Sequence, residues 1–221
     1  MKIALLGFGK MGKRVEELAT KKGHIVVCKS NSSDETKLLD LSIADVAIDF
    51  STPSAAFENI SHAIKSGIPV ISGTTGWLEK IKEIESLCKS RKGAFLYSSN
   101  FSLGVNLFFK LNKQLAKIMQ DFNYESKIHE THHVEKIDSP SGTALTLKKD
   151  LDIINTKEIA ITSQRINNIT GIHKINYSSF YDEIEIIHKA KNRDGFASGA
   201  IIAAEWIIKK EGIYSMNDVL A

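Results

Sequence analysis

A short apolar run over residues 2–6 ends in Gly7-Phe8-Gly9-Lys10-Met11-Gly12, and helical spacing begins directly behind it. No other stretch constrains the fold as tightly. A buried strand must turn sharply at Gly7, let another group approach the backbone at Gly9, and pack a helix closely at Gly12. Residues 10–22 carry Met11, Val15, Leu18 and Ala19 at helical spacing, and Gly23 stops them. Free N–H groups at the start of such a helix hold an anion such as a pyrophosphate. In isolation the hexapeptide is also compatible with a plain glycine-rich turn. Its place between a strand and a helix favours dinucleotide binding.

The same pattern repeats over the first hundred residues. Apolar runs at 25–28, 45–50, 68–72 and 94–97 alternate with amphipathic segments after Pro53 and after Trp77. Solid apolar strands followed by helices predict a doubly wound α/β unit with a parallel sheet covered on both faces. Pro53 sits where a missing N–H matters least, at a helix start. Two further strand ends, Asp49-Phe50-Ser51-Thr52-Pro53 and Gly73-Thr74-Thr75-Gly76, point to the crevice where open α/β sheets bind ligands. After the second strand an acidic residue would bind a ribose 2′-hydroxyl, but the sequence reads Cys28-Lys29-Ser30-Asn31, with no acid before Asp34. Lys29 with a serine would suit a 2′-phosphate and favour NADPH. A solvated surface lysine is the alternative for Lys29.

Beyond about residue 100 the architecture changes. Residues 103–119 read as a helix with Leu103, Leu107, Leu111, Leu115 and Ile118 along one side. Segments at 123–132, 159–164, 172–180 and 183–188 alternate with a period of two, as in a half-solvated, partly antiparallel sheet. One helix at 143–151 interrupts them, and an alanine-rich helix at 197–208 follows.

His129-Glu130-Thr131-His132-His133 formally matches the zinc-protease pattern H-E-x-x-H. That chemistry needs a helix, and the context is a strand, which would set His129 and His133 roughly 13 Å apart. No metal is expected. The strand instead delivers His132, His133 and Lys136 to a cleft mouth, where imidazole exchanges protons and lysine donates one or fixes a carboxylate. Ser141-Gly142-Thr143 then opens a helix and makes a second anion site.

Composition narrows the remaining choices. Lys plus Arg (29) exceed Asp plus Glu (26) by three, too few for a nucleic-acid polycation. Two cysteines build no disulfide framework, and no apolar run reaches the roughly 18 residues of a membrane span. A soluble cytoplasmic protein with no nucleic-acid or membrane partner is expected.

Across most of the chain the motifs resemble those of 4-hydroxy-tetrahydrodipicolinate (dihydrodipicolinate) reductases. They are Gly7 to Gly12, Asp49-Phe50-Ser51, Gly73-Thr74-Thr75-Gly76, the stretch from Ser99 to Asn106, and the run Glu130-Thr131-His132-His133-Val134-Glu135-Lys136 continuing to Ala144. The resemblance implies a Rossmann-like dinucleotide-binding domain over residues 1–100 and 195–221. It implies a mixed-sheet α+β domain over 101–194 for substrate binding and oligomerisation, with the final helix returning to the first domain. The implied activity is reduction of a cyclic dicarboxylate by NADPH or NADH on the diaminopimelate and lysine route, in a homotetramer. His132 and Lys136 match the family's proton donors, and His133, Gly142 and Thr143 its substrate-binding positions. Gly7, Phe8, Gly9, Lys10, Met11 and Gly12 match the phosphate turn. Gly73, Thr74, Thr75, Ser98, Ser99, Asn100 and Phe101 match nicotinamide and ribose contacts. The chain departs from the family in lacking the acid after the second strand and in being short between about residues 150 and 165. Arg165 and His173 lie near that region and either reach the substrate or stay on the surface. A non-catalytic dinucleotide sensor is the rival reading.

Overall fold

The computed structural model describes residues 1–31, 39–153, 158–192 and 194–221. In chain order the elements are β1 (Lys2–Leu6), α1 (Lys10–Lys21), β2 (Ile25–Ser30), β3 (Val46–Asp49), α2 (Pro53–Lys65), β4 (Val70–Ser72), α3 (Ile81–Ser90), β5 (Ala94–Tyr97), α4 (Leu103–Met119), β6 (Glu125–His132), α5 (Gly142–Asp152), β7 (Ala160–Arg165), β8 (Ile172–Ser178), β9 (Glu183–Lys189), α6 (Asp194–Ile207), β10 (Gly212–Tyr214) and α7 (Met216–Val219). They divide into two compact units, Met1–Leu103 with Asp194–Ala221, and Gly104–Arg193.

The first unit holds a six-stranded sheet in the order β10-β5-β4-β3-β1-β2. Every pairing in it is parallel. Successive side chains of a strand face opposite ways, and both faces of β1 are buried. Ile3 and Leu5 join a core with Val15, Ala19, Ala200 and Ala204, whereas Ala4 and Leu6 join another with Ile60, Ile64 and Ile84. Helices α1 and α6 thus cover one face, and α2 and α3 the other. Small residues let α6 approach closely: a Cβ on Gly199 would lie 1.7 Å from the Phe101 carbonyl oxygen. Pro53 occupies the first turn of α2 with Thr52 as its N-cap. Among the described residues, no helix is long and apolar enough to cross a membrane.

The second unit carries a four-stranded sheet, β7-β6-β8-β9. β6 pairs parallel with β7 and antiparallel with β8, which in turn pairs antiparallel with β9. Ile128, Ile175 and Tyr177 face a core completed by Leu147 and Leu151 of α5 and Ala116 of α4. On α4 the buried residues are Val105, Asn106, Phe108, Asn112, Ala116 and Met119. The leucine side read from the sequence is the exposed one, with Leu107 and Leu111 about half accessible. Helix α3 begins later than expected, because residues 78–80 form a separate turn of 3-10 helix.

Candidate functional site

In the first unit the glycine turn does what its sequence requires. Gly7 has φ +99°, a left-handed conformation, and a Cβ there would lie 2.2 Å from the Phe50 carbonyl oxygen. Its N–H donates to both the carbonyl and the hydroxyl oxygen of Ser30, 3.2 Å away in each case. A Cβ on Gly12 would lie 2.3 Å from the Gly7 carbonyl oxygen, so glycine there is what lets α1 close on the turn. Gly9 differs: a Cβ would meet nothing within 4 Å, and the fold makes no demand for glycine at that position. Gly9 is also the N-cap of α1 and offers no side chain to the first-turn amides, which include those of Lys10 and Met11.

Gly7, Phe8 and Gly9 line a cavity of about 300 Å³ together with Ser30, Phe50 and Asn59. An open-backed glycine, uncapped helix amides and a cavity beyond the strand ends together fit a dinucleotide. Lys29, next to Ser30 in the chain, pairs with Glu16 at 2.6 Å and lies 4.5 Å from the centroid of the Phe8 ring. It is a held cation. Asp34 lies outside the described residues.

The ends of β3 and β4 are tied together by Asp49, which the sequence marks only as a strand end. The Asp49 carboxylate is buried and accepts from the Ser51, Ser72 and Thr74 hydroxyls (2.5, 2.7 and 2.8 Å) and from Asn59 Nδ2 (3.2 Å). Burial pushes this carboxyl up against four donors that pull it down. A Cβ on Gly73 would collide with the Phe50 ring, 2.1 Å away. Thr74 spends its hydroxyl on Asp49 and on the Ser51 amide, while Thr75 is exposed. Beyond β5 the Ser98 hydroxyl donates to the Asn100 carbonyl oxygen, and Ser99 is exposed. The Phe101 side chain is in the core, edge-on to Phe50 at 5.9 Å. Of the residues expected at the cofactor, Gly7, Phe8 and Gly9 share the cavity wall; 73–75 and 98–101 shape the neighbouring strand ends.

The second unit gathers its polar groups on one face of the small sheet. Glu130 and His132 are two apart on β6 and so project the same way. Across the strands Glu130 is opposite Ser163 and His173, His173 is opposite His188, and His132 is opposite Arg165. Glu130 is 1% exposed. Its carboxylate accepts two bonds from the Ser141 N–H (3.0 and 3.1 Å) and one from Arg165 Nη2 (3.3 Å). His132 Nδ1 lies 3.4 Å from Glu130, and the Nε2 edge of that ring faces Gly171, where a Cβ would sit 3.2 Å away. Lys136 is on the loop after β6 and pairs with Asp138 at 2.6 Å. Ser141 caps α5 by accepting from the Ala144 N–H. Gly142 is exposed at the first position of α5, where a Cβ would meet nothing, and Thr143 follows half-buried. His133 belongs to a separate cavity of about 320 Å³ with Thr170 and Lys191.

Glu130, His132 and His173 bring one ligand atom each within 4.8 Å of one another. A cation is nevertheless opposed there. The carboxylate already serves Ser141 and Arg165, and Arg165 and Lys136 add positive charge. His129, the other half of the H-E-x-x-H match, projects from the opposite face of β6.

These surroundings set the protonation states. Burial lowers His132, with Glu130 pulling the other way and Lys136 and Arg165 adding to the fall. Burial lowers His173 to about 4, reinforced by His132. Glu130 stays below the usual carboxylate range: burial opposes ionisation, and the Ser141 and Ser163 contacts outweigh it. At neutral pH the site therefore holds the Glu130 carboxylate beside the neutral imidazoles of His132 and His173.

For His173, the unfolded chain takes up a proton near pH 6.5 and the folded chain only near 4. The associated stability is whole above about pH 6.5 and is lost as the pH falls towards 4. The expected loss is about 3 kcal/mol. Urea midpoints measured from pH 7.5 down to 4.5 should fall in the wild type and fall less steeply in His173→Gln.

Comparison with known proteins covers both halves of the chain. The family model described as "Dihydrodipicolinate reductase, N-terminus" matches residues 1–101, and that described as "Dihydrodipicolinate reductase, C-terminus" matches 104–220. A protein of Christiangramia forsetii named 4-hydroxy-tetrahydrodipicolinate reductase is 47% identical, covering 100% of this chain and 98% of its own. One of that name from Thermosipho africanus is 36% identical, with the same coverage of each chain. Among solved structures, a dipicolinate-bound dihydrodipicolinate reductase from Paenisporosarcina sp. TG-14 superimposes with a TM-score of 0.83. It is 21% identical and covers 99% of this chain and 98% of its own, a likeness of fold.

Proposed function

Because this chain belongs to the dihydrodipicolinate reductase family, we propose that it reduces 4-hydroxy-tetrahydrodipicolinate to tetrahydrodipicolinate on the diaminopimelate and lysine route. The chain is an NAD(P)H-dependent oxidoreductase. The reaction consumes one hydride and one proton and releases water and the oxidised dinucleotide. The observation that carries this reading is 47% identity to a named reductase across the whole chain. A dinucleotide sensor without chemistry would leave the His132-His133-x-x-Lys136 cluster and its buried carboxylate without a purpose.

The bound nicotinamide supplies the hydride from its C4. The amides of Gly9, Lys10 and Met11 at the uncapped start of α1 would hold its pyrophosphate. Lys29 and Ser30 would receive a 2′-phosphate, which favours NADPH. Glu16 already balances part of the Lys29 charge, so NADH is accepted as well. One substrate carboxylate binds Lys136, and the other binds the opening of α5 at Gly142 and Thr143; His133, which lines the cavity with Thr170 and Lys191, matches a further substrate position of the family. His132 enters the complex neutral. An arriving dicarboxylate raises its affinity for a proton, which it then passes, with Lys136, to the carbon framework. The rest of the assignment follows the family: a cytoplasmic homotetramer built through the four-stranded sheets.

Supplying the freshly formed product of the preceding synthase step should cause loss of NADPH or NADH absorbance that depends on this protein. Binding of either dinucleotide without oxidation would overturn the reductase assignment.

A further inference from the structure

Lys136 and the start of α5 are joined by the loop 133–141, which has no regular structure to hold it in place. What fixes it is a pair of charges from two strands 35 residues apart. Arg165 spends its donors on backbone oxygens: Nε reaches the Lys136 carbonyl at 3.3 Å and Nη2 the Asp138 carbonyl at 2.6 Å. Nη1 reaches the Gln164 carbonyl at 2.8 Å. The same Nη2 reaches Glu130, whose carboxylate takes the Ser141 N–H at the far end of the loop.

We propose that Glu130 and Arg165 form a positioning clamp, in which one ion pair fixes both the middle and the end of the loop 133–141. Arg165 sets the height of Lys136, and Glu130 sets the entry of α5 while standing beside His132. The arrangement needs a planar fork with several N–H groups, which lysine lacks. It also needs a charged acceptor on β6, because the Ser141 N–H would otherwise be left without a partner and the guanidinium would hold its three carbonyls without a counter-charge beside it. Neither residue needs to touch the substrate for this role. The inference rests on the roles assigned above to His132, Lys136 and Gly142.

The groups facing His132 are Glu130 on its own strand, Lys136 and Asp138 from the loop, Arg165 on β7 and His173 on β8. Removing one member of the clamp therefore moves the pH profile in a direction set by its charge. Arg165→Lys should lower kcat at least tenfold while dinucleotide Kd stays within twofold of wild type. Arg165→Met should move the His132 limb of the kcat/KM profile to higher pH, and Glu130→Gln to lower pH. The double variant should be no worse than the worse single one. Backbone amide exchange over residues 136–141 should quicken at least tenfold in Arg165→Lys. Wild-type kcat in Arg165→Lys, losses that multiply in the double variant, or shifts in one common direction would each refute the clamp. If Arg165→Met does not fold, Arg165→Lys and Glu130→Gln decide by rate, profile and exchange. An inactive wild type would sink the reductase reading instead, and the clamp would then stand or fall on amide exchange alone.

Discussion

His132→Ala and Lys136→Ala should each lower kcat by about 10²–10⁴-fold, the usual contribution of a positioned proton donor. Dinucleotide affinity should hardly change, because the cavity of the first unit is lined by Gly7, Phe8, Gly9, Phe50 and their neighbours alone. The two variants should differ in detail. Lys136 carries the charge that a carboxylate needs, so Lys136→Ala should raise KM as well as lower kcat. His132 is neutral before substrate arrives, so His132→Ala should act mainly on kcat. Steady-state rates with dinucleotide titrations by fluorescence check both. Full activity in both variants would remove these residues from the mechanism.

Gly7→Ala should cost about 4 kcal/mol of stability and abolish dinucleotide binding, at the upper end of single-substitution effects. Two penalties coincide there: a left-handed backbone that alanine resists, and a Cβ placed 2.2 Å from a carbonyl oxygen of the neighbouring strand end. Gly9→Ala is the matched control. Nothing lies within 4 Å of its added Cβ, so the fold should survive within about 0.5 kcal/mol. Dinucleotide affinity should still fall, because the new methyl group stands where the ligand backs onto the turn. Urea unfolding and dinucleotide titration of both variants separate a glycine the fold needs from a glycine the ligand needs.

Much of this architecture is legible in the sequence because the constraint is local. The strand, the glycine turn and α1 follow from residue identity and spacing within two dozen positions, and the solid apolar runs betray a sheet buried on both faces. The change of period after residue 100 likewise marks a second kind of sheet. The Glu130–Arg165 pair was not legible, nor was the bonding around Asp49. Most of those contacts join residues far apart in the chain, on different strands or on a strand and a helix, and a charged residue inside a strand carries no local sign of a distant partner. The signal available for Asp49 was an acid ending an apolar run beside Ser51, Ser72 and Thr74. Helix α4 shows another limit: it is apolar on two sides, and spacing alone does not say which one the unit covers. Strand β10 and helix α7, at three and four residues, are too short for any period to show.

In the proposed reaction a hydride passes from a dinucleotide to a cyclic dicarboxylate. Its most direct test uses NADPH or NADH carrying deuterium at the transferring C4 position, with the product's mass read after one turnover. The tetrahydrodipicolinate formed by the wild type should carry one deuterium, and His132→Ala should form that labelled product far more slowly. Product of unlabelled mass, or label appearing only in solvent, would contradict the proposed reaction.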